Sequence, residues 1–354
     1  MNEFTRLHQP TSRIIHVQQK DYLFFGGTAY LGLLQHTDYE QLVLEGVSRY
    51  GLNNGTSRSN NVQLGIYEQA EEALAERFAF QQAALFSSGY LAAQAAVRSL
   101  APDKQVYYAP HTHQALWLAE KPKVSQTNFQ DWIAWVVQDI NQSSDKVFLV
   151  ISNALDNLSP EIYDFSPFQY IDPKKNVVLL LDDSHGLGIV RKNCLSVDVS
   201  ALSALENLSI LVVASLAKGL GTDAGLVLGD KHWIKKIKQS PIFMGASPSA
   251  PAFIYALLHG QEIYEACWEK LQFNINSFSK QLRAEIPVNY VDNFPVFTSL
   301  DPGLYANLLE NNILISSFPY PLPSSPLLNR IVISAMHKQE DLEKLISILH
   351  SHVE

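Results

Sequence analysis

The chain has 354 residues, of which 47% are apolar and only 17% charged, with a formal net charge of −9. That length and apolar content suit one large α/β unit or two lobes around a sizeable core. The negative balance argues against nucleic acid or an anionic membrane surface as a partner. Cys194 and Cys267 are far apart and lack a CxxC spacing, which speaks against a disulfide framework or a structural zinc site.

The opening stretch "MNEFTRLHQPTSRIIHVQQKD" lacks a continuous apolar core, so no signal peptide is expected. No window is long and apolar enough for a membrane span, and a soluble, cytoplasmic protein is the expectation. The first strong helical pattern is "LGIYEQAEEALAERFAF" (64–80), with Ile66, Ala70, Ala73, Leu74 and Phe78 on one stripe. A second helix is predicted over 88–101, "SGYLAAQAAVRSLA". Four short β-rich runs read as strands: 146–152, 177–183, 209–215 and 224–230. Their unbroken hydrophobicity points to a sheet buried on both faces, and their alternation with helices points to βαβ units.

After about residue 240 the character changes. A Pro/Ser/Gly segment leads into a long helix, and a smaller α+β lobe follows. That lobe contains an irregular loop over 318–326, a strand over 330–337 and a closing helix over 340–353. Two lobes meeting at a cleft are expected.

Three stretches carry polar groups where they are costly. In "VVLLLDDSHGLGIV" (177–190), Asp182, Asp183 and His185 follow a greasy run, at the strand end where open α/β sheets bind ligands. Asp183 or Ser184 capping a helix explains the same letters, and so does a metal site of Asp182, Asp183 and His185, although further ligands are not evident. In "VVASLAKGLGTDAGLVLG" (212–229), Lys218 sits among small residues after a buried strand. It reads either as a solvated turn lysine or as a desolvated amine able to form Schiff bases. Ser215 and Lys218 also fit S-x-x-K, but without its companion motifs. In "ALFSSGYLAAQAAV" (84–97), Ser87, Ser88 and Gly89 open a helix, as a plain cap or as an anion cradle. Taken together, an anion cradle, an acid, a histidine and an amine are what pyridoxal phosphate requires.

Here the sequence resembles the α-oxoamine synthases among the fold-type I pyridoxal-phosphate enzymes, a family that includes 8-amino-7-oxononanoate synthase and 2-amino-3-oxobutyrate CoA ligase. "TAYLGL" (28–33) is similar to N-D-Y-L-G-L, and "SRYGLNNGTSR" (48–58) to R-Y-G-x-G-x-G-[SG]-S-R. "LFSSGY" is similar to L-F-x-S-G-[FY], "LLLDDSHGLG" to V-D-[ED]-A-H-G-x-G, and "SLAKGLGTDAG" to T-x-x-K-[AG]-x-G-x-x-G. The resemblance implies a mostly parallel central sheet flanked by helices with a smaller C-terminal α+β domain. It divides the chain into an arm (1–45), a cofactor domain (46–240) and a C-terminal domain (241–354), in a homodimer with shared active sites.

It further implies that Lys218 forms the Schiff base, Asp182 pairs with the ring nitrogen, and His185 lies near the ring oxygen. His113 stacks on the ring, with His111 its near competitor. Ser88, Gly89, Tyr90 and Ser215 surround the phosphate, and Arg330 grips the substrate carboxylate. Asp183 becomes the lesser acid, a cap. No metal is implied. The activity implied is condensation of a small amino acid with an acyl-CoA thioester to an α-aminoketone.

Two departures bear on that activity. "SNALDNLSPEI" (152–162) replaces E-G-x-F-S-M-D-G-D, so Asn153 or Asp156 stands in for the glutamate-serine pair, and the N-terminus is shorter. The lost pair favours an aminotransferase as the alternative. A non-catalytic relative is opposed by the intact Lys218, Asp182 and His185.

Overall fold

A computed structural model describes residues 3–120, 122–319 and 324–353. The chain begins with a hairpin, β1 (Ile14–Val17) and β2 (Lys20–Phe25), joined through Gln18 and Gln19, both at positive φ. That backbone twist matches the twist of paired strands. Helices α1 (Thr37–Tyr50) and α2 (Ile66–Arg77) follow. On α2, Ile66, Ala70 and Leu74 face inward as expected, and Phe78 just beyond it is buried too, but Ala73 is exposed. Glu71 is buried in its place, because it accepts the Leu85 amide and pairs with Lys238.

The large sheet comes next. Its elements are β3 (Gln82–Phe86), α3 (Gly89–Leu100), β4 (Gln105–Tyr108), α4 (Phe129–Gln142), β5 (Val147–Asn153), a short pair β6 (Leu155–Asp156) and β7 (Glu161–Ile162), then β8 (Asn176–Asp182), β9 (Leu208–Ser215), β10 (Gly225–Gly229) and α5 (Lys231–Lys238). The six-stranded order is β3-β10-β9-β8-β5-β4. Strands β4, β5, β8 and β9 run parallel, and β10 is antiparallel to both its neighbours. Along β8, Val177, Leu179 and Leu181 join one core while Val178 and Leu180 join the core under α3. Burial on both faces is why this strand reads as a continuous apolar run.

The remainder contains α6 (Pro241–Gly245), α7 (Pro251–His259), α8 (Gln261–Ser279), β11 (Val296–Ser299), α9 (Leu304–Glu310), β12 (Ile313–Pro319), β13 (Leu327–Val332) and α10 (Gln339–Val353). The long helix expected here is broken at Gly260, where an added Cβ would meet the Ala256 carbonyl oxygen at 2.8 Å. A second sheet has the order β1-β2-β12-β13-β11, with β2 parallel to β12. The segment expected as an N-terminal arm thus supplies two strands to the C-terminal sheet.

The strand expected over 330–337 ends at Val332. Beyond it the Ser334 hydroxyl donates to the Ala29 and Tyr30 carbonyls, and its amide donates to His337 Nδ1, which turns the chain. Of the loop expected over 318–326, residues 318–319 extend β12, and 320–323 lie outside the described residues. Among the described residues, no helix is long and apolar enough to cross a membrane.

Candidate active site

Strands β5, β8 and β9 are parallel neighbours, so their carboxyl ends open on one edge, the position where such sheets bind ligands. Asn153 ends β5, Asp182 ends β8 opposite it, and Ser215 ends β9. The Asp182 carboxylate accepts the Ser184 amide at 3.0 Å, and the Ser184 hydroxyl accepts the Ser215 amide at 2.8 Å.

Asp183 points the other way. It is 1% exposed and accepts the Ser196 amide and hydroxyl at 2.8 and 2.6 Å. Burial pushes its carboxyl up to about 7, against the pull of those two bonds. No helix starts at Asp183 or Ser184, so the expected cap is instead a pin for the loop around Ser196. Among the described residues, no group of three or more His, Cys, Asp or Glu, the trio Asp182, Asp183 and His185 included, is placed to hold a metal ion.

Asp182, His185, Lys218, His111 and His113 line one cavity. The Lys218 amine lies 3.0 Å from His185 Nε2. Burial lowers the lysine pKa and Arg330 adds to this, while Asp182 works against it. The His185 imidazole is held well below the usual histidine range by burial and by the positive charge of Lys218, Arg330 and His113. Its Nδ1 lies 2.7 Å from the Tyr30 hydroxyl. Arg330, on β13, is 5% exposed. It donates to the Gly27 carbonyl at 2.8 Å and to the Tyr30 oxygen at 3.0 Å, and its Nε has no hydrogen-bond partner. It is turned toward the N-terminal segment, not held as an open fork.

Asn153 and Asp156, the two candidates to stand in for the glutamate-serine pair, both line this cavity. The Asn153 amide spans the histidine loop, accepting the His113 amide and donating to the His111 carbonyl. His113 Nδ1 accepts the Ala115 amide, which tethers the ring at the exposed cavity mouth. Asp156 is buried and caps the turn at Leu158 and Ser159.

Beside this cavity, α3 starts with Ser88 as its cap, the hydroxyl accepting the Leu91 amide. The amides of Gly89 and Tyr90 precede the first helical hydrogen bond, from Ala92 to the Ser88 carbonyl, and are available to an anion. A Cβ on Gly89 would lie 2.6 Å from Ser215 Cβ. The glycine therefore lets the helix start abut the end of β9. Tyr90 is 60% exposed.

Tyr30, the joint between His185 and Arg330, was quoted in "TAYLGL" without a role. Its burial could not be read from the letters. The clamp at Asn153 was likewise visible only as a departure from a motif.

The family model for aminotransferases of class I and II matches residues 25–349. The chain belongs to this family. Curated relatives include the 8-amino-7-oxononanoate synthase of Nitrosomonas eutropha, 25% identical over 97% of this chain and 93% of the relative. That of Pseudomonas syringae pv. tomato is 24% identical over 97% and 90%. Among solved structures, Sphingomonas wittichii serine palmitoyltransferase superposes with a TM-score of 0.81 at 15% identity, covering 99% of this chain and 92% of that one. The 8-amino-7-oxononanoate synthase of Francisella tularensis gives 0.71 at 19%, covering 94% and 98%.

The fold is that of the fold-type I pyridoxal-phosphate enzymes, and the protein is a pyridoxal-phosphate-dependent transferase. The donor set fits this cofactor: an amine of lowered pKa and a carboxylate share one cavity, and a helix start free of side chain at Gly89 lies alongside.

Proposed function

We propose that the protein condenses a small amino acid with an acyl-CoA thioester, in the manner of the α-oxoamine synthases. The observation that carries this is the placement of Lys218, Asp182 and His185 in one cavity at the strand ends. Pyridoxal phosphate bound there supplies an electron sink for the charge that develops at the substrate Cα. The Gly89 and Tyr90 amides, with the Ser88 and Ser215 hydroxyls, would hold its phosphate. Asp182 would pair with the ring nitrogen and favour its protonated form, since a nearby carboxylate favours the charged form.

His113, tethered through Ala115, would stack on the ring and limit its tilt. Lys218, as a free amine once the amino acid has bound, takes the Cα proton at Nζ. The unpartnered Nε of Arg330 and the second hydrogens of its two terminal nitrogens leave donors for the amino acid's carboxylate.

A homodimer fits the exposed apolar side chains Leu34, Leu44, Leu52 and Val62, which fall on and around α1, together with Tyr90 at the start of α3. A cytoplasmic location fits the two free cysteines.

The test is a screen of amino acids against acyl-CoA thioesters, read by thiol release. Release that requires both substrates supports the reading. Amino transfer to a keto acid with no thiol released replaces it with an aminotransferase.

A further inference from the structure

Tyr30 has no assigned task, yet it sits behind the site with no solvent exposure. A buried phenol needs an acceptor for its proton. Among the described residues its hydroxyl contacts two groups, His185 Nδ1 at 2.7 Å and an Arg330 terminal nitrogen at 3.0 Å. A guanidinium can only donate. Arg330 therefore gives its N–H to the phenol oxygen, and Tyr30 gives its proton to His185 Nδ1.

The rest of the chain of bonds follows from this direction. The imidazole is kept neutral chiefly by its burial, with the charge of Arg330 adding to this, so it carries a single N–H. With Nδ1 accepting, that proton resides on Nε2. It faces Lys218 Nζ at 3.0 Å, and only a free amine can accept it. The opposite tautomer would leave a buried O–H without an acceptor. The series Arg330, Tyr30, His185, Lys218 thus runs one way, from the second sheet into the first.

We infer that Tyr30 is a positioning residue that locks His185 in the Nε2–H tautomer, so that the imidazole offers a donor to the Lys218 amine and to an acceptor on the bound cofactor. Only the last clause rests on the proposed reaction. Without Tyr30 the ring is free to exchange tautomers and turn a lone pair toward Lys218, which stabilises the ammonium form. A higher amine pKa leaves less free amine at neutral pH.

The test uses the full chain with 15N-labelled histidine, with and without pyridoxal phosphate. In the unmodified protein, His185 is expected to be neutral and protonated at Nε2 at pH 7 to 8. In Tyr30→Phe, a tautomer mixture is expected, and the pH profile of pyridoxal-phosphate capture should move upward, with slower capture at pH 7. A structural role alone moves neither the tautomer nor the midpoint of that profile.

An Nδ1–H or doubly protonated His185 in the unmodified protein overturns the inference by itself, whether or not Tyr30→Phe folds. So does a folded Tyr30→Phe with unchanged tautomer and profile. A protein that binds the cofactor but carries the wrong tautomer fails only here; one that binds none fails the proposed function.

Discussion

The side chain of Asn153 holds His113 by its backbone. Its oxygen accepts the His113 amide at 3.1 Å while its nitrogen donates to the His111 carbonyl at 2.7 Å. His111 sits at φ 55, a left-handed conformation that is costly for a residue with a Cβ. One amide thus spans a strained turn at the cavity mouth. Asn153→Ala should cost about 1 to 2 kcal/mol of stability and weaken pyridoxal-phosphate binding roughly tenfold, as read by melting and cofactor titration. Asn153→Asp keeps the acceptor but loses the donor, so it should fall between the two.

Lys218 is expected to be the sole point of covalent attachment. Borohydride treatment of the cofactor-loaded protein, followed by peptide mass spectrometry, should find the adduct at Lys218. Lys218→Ala should show none there and lose the visible absorbance of the attached cofactor. An adduct on another lysine would displace the assignment.

Gly89→Ala places a Cβ 2.6 Å from Ser215 Cβ and 2.8 Å from its Cα. The helix start must then move off β9. Cofactor affinity should fall by more than about tenfold, since the two phosphate-facing amides move with it. Trimming the neighbour with Ser215→Gly should rescue only in part, because the backbone contact remains.

Asp183 and His337 should shape stability in opposite pH windows. Burial raises the Asp183 carboxyl to about 7 in the folded chain, against about 4 when unfolded. Folding therefore favours its protonated form, and its contribution is fully present below pH 4 and lost as pH rises toward 7, by a few kcal/mol on the order of 1.4 per unit. Relative to Asp183→Asn, the unmodified protein should lose ground over that interval and run parallel above it, as measured by denaturant titration.

His337 is buried, its Nδ1 accepting the Ser334 amide and its Nε2 donating to the Phe24 carbonyl. Burial holds its pKa down to about 4. Folding therefore favours the neutral ring, so its contribution is present above pH 6.5 and lost as pH falls toward 4, by roughly 3 kcal/mol. His337→Gln should flatten that acid limb while lowering stability at pH 7.

The parts of this fold legible in the sequence are those with a local signature. Strands β5, β8, β9 and β10 are buried on both faces and show it as unbroken apolar runs, and α3 announces itself by Ser88 and Gly89. The hairpin at 14–25 gave no such sign, because its partner strand lies about 290 residues away and half-exposed strands carry mixed letters. The strand expected to run to residue 337 failed for a related reason. "RIVISAMH" carries the apolar run Ile331, Val332 and Ile333, but the Ser334 and His337 that follow are claimed by the N-terminal segment.

At the site, the meeting of Lys218 and Asp182 in one cavity was legible because a lysine and an acid are unusual directly after buried apolar runs. Roles that depend on direction were not. Asn153 and Tyr30 act through the atoms they face, and a side chain's facing partner is set by tertiary packing.

The parallel pairing of β2 with β12 also sets an order of events during synthesis. The first 25 residues leave the ribosome long before Ile313–Ile315 exist to pair with Leu23–Phe25. Until then the hairpin has an open edge, the kind that recruits wrong partners. The contacts of Arg13 Nη1 with both Asp341 carboxylate oxygens and the Phe24–His337 bond can close only when the start of α10 has been made. A chain released early would therefore keep Lys218 but lack the sheet that carries Arg330, and a protease cutting near the hairpin would sever the newborn protein most readily in that interval.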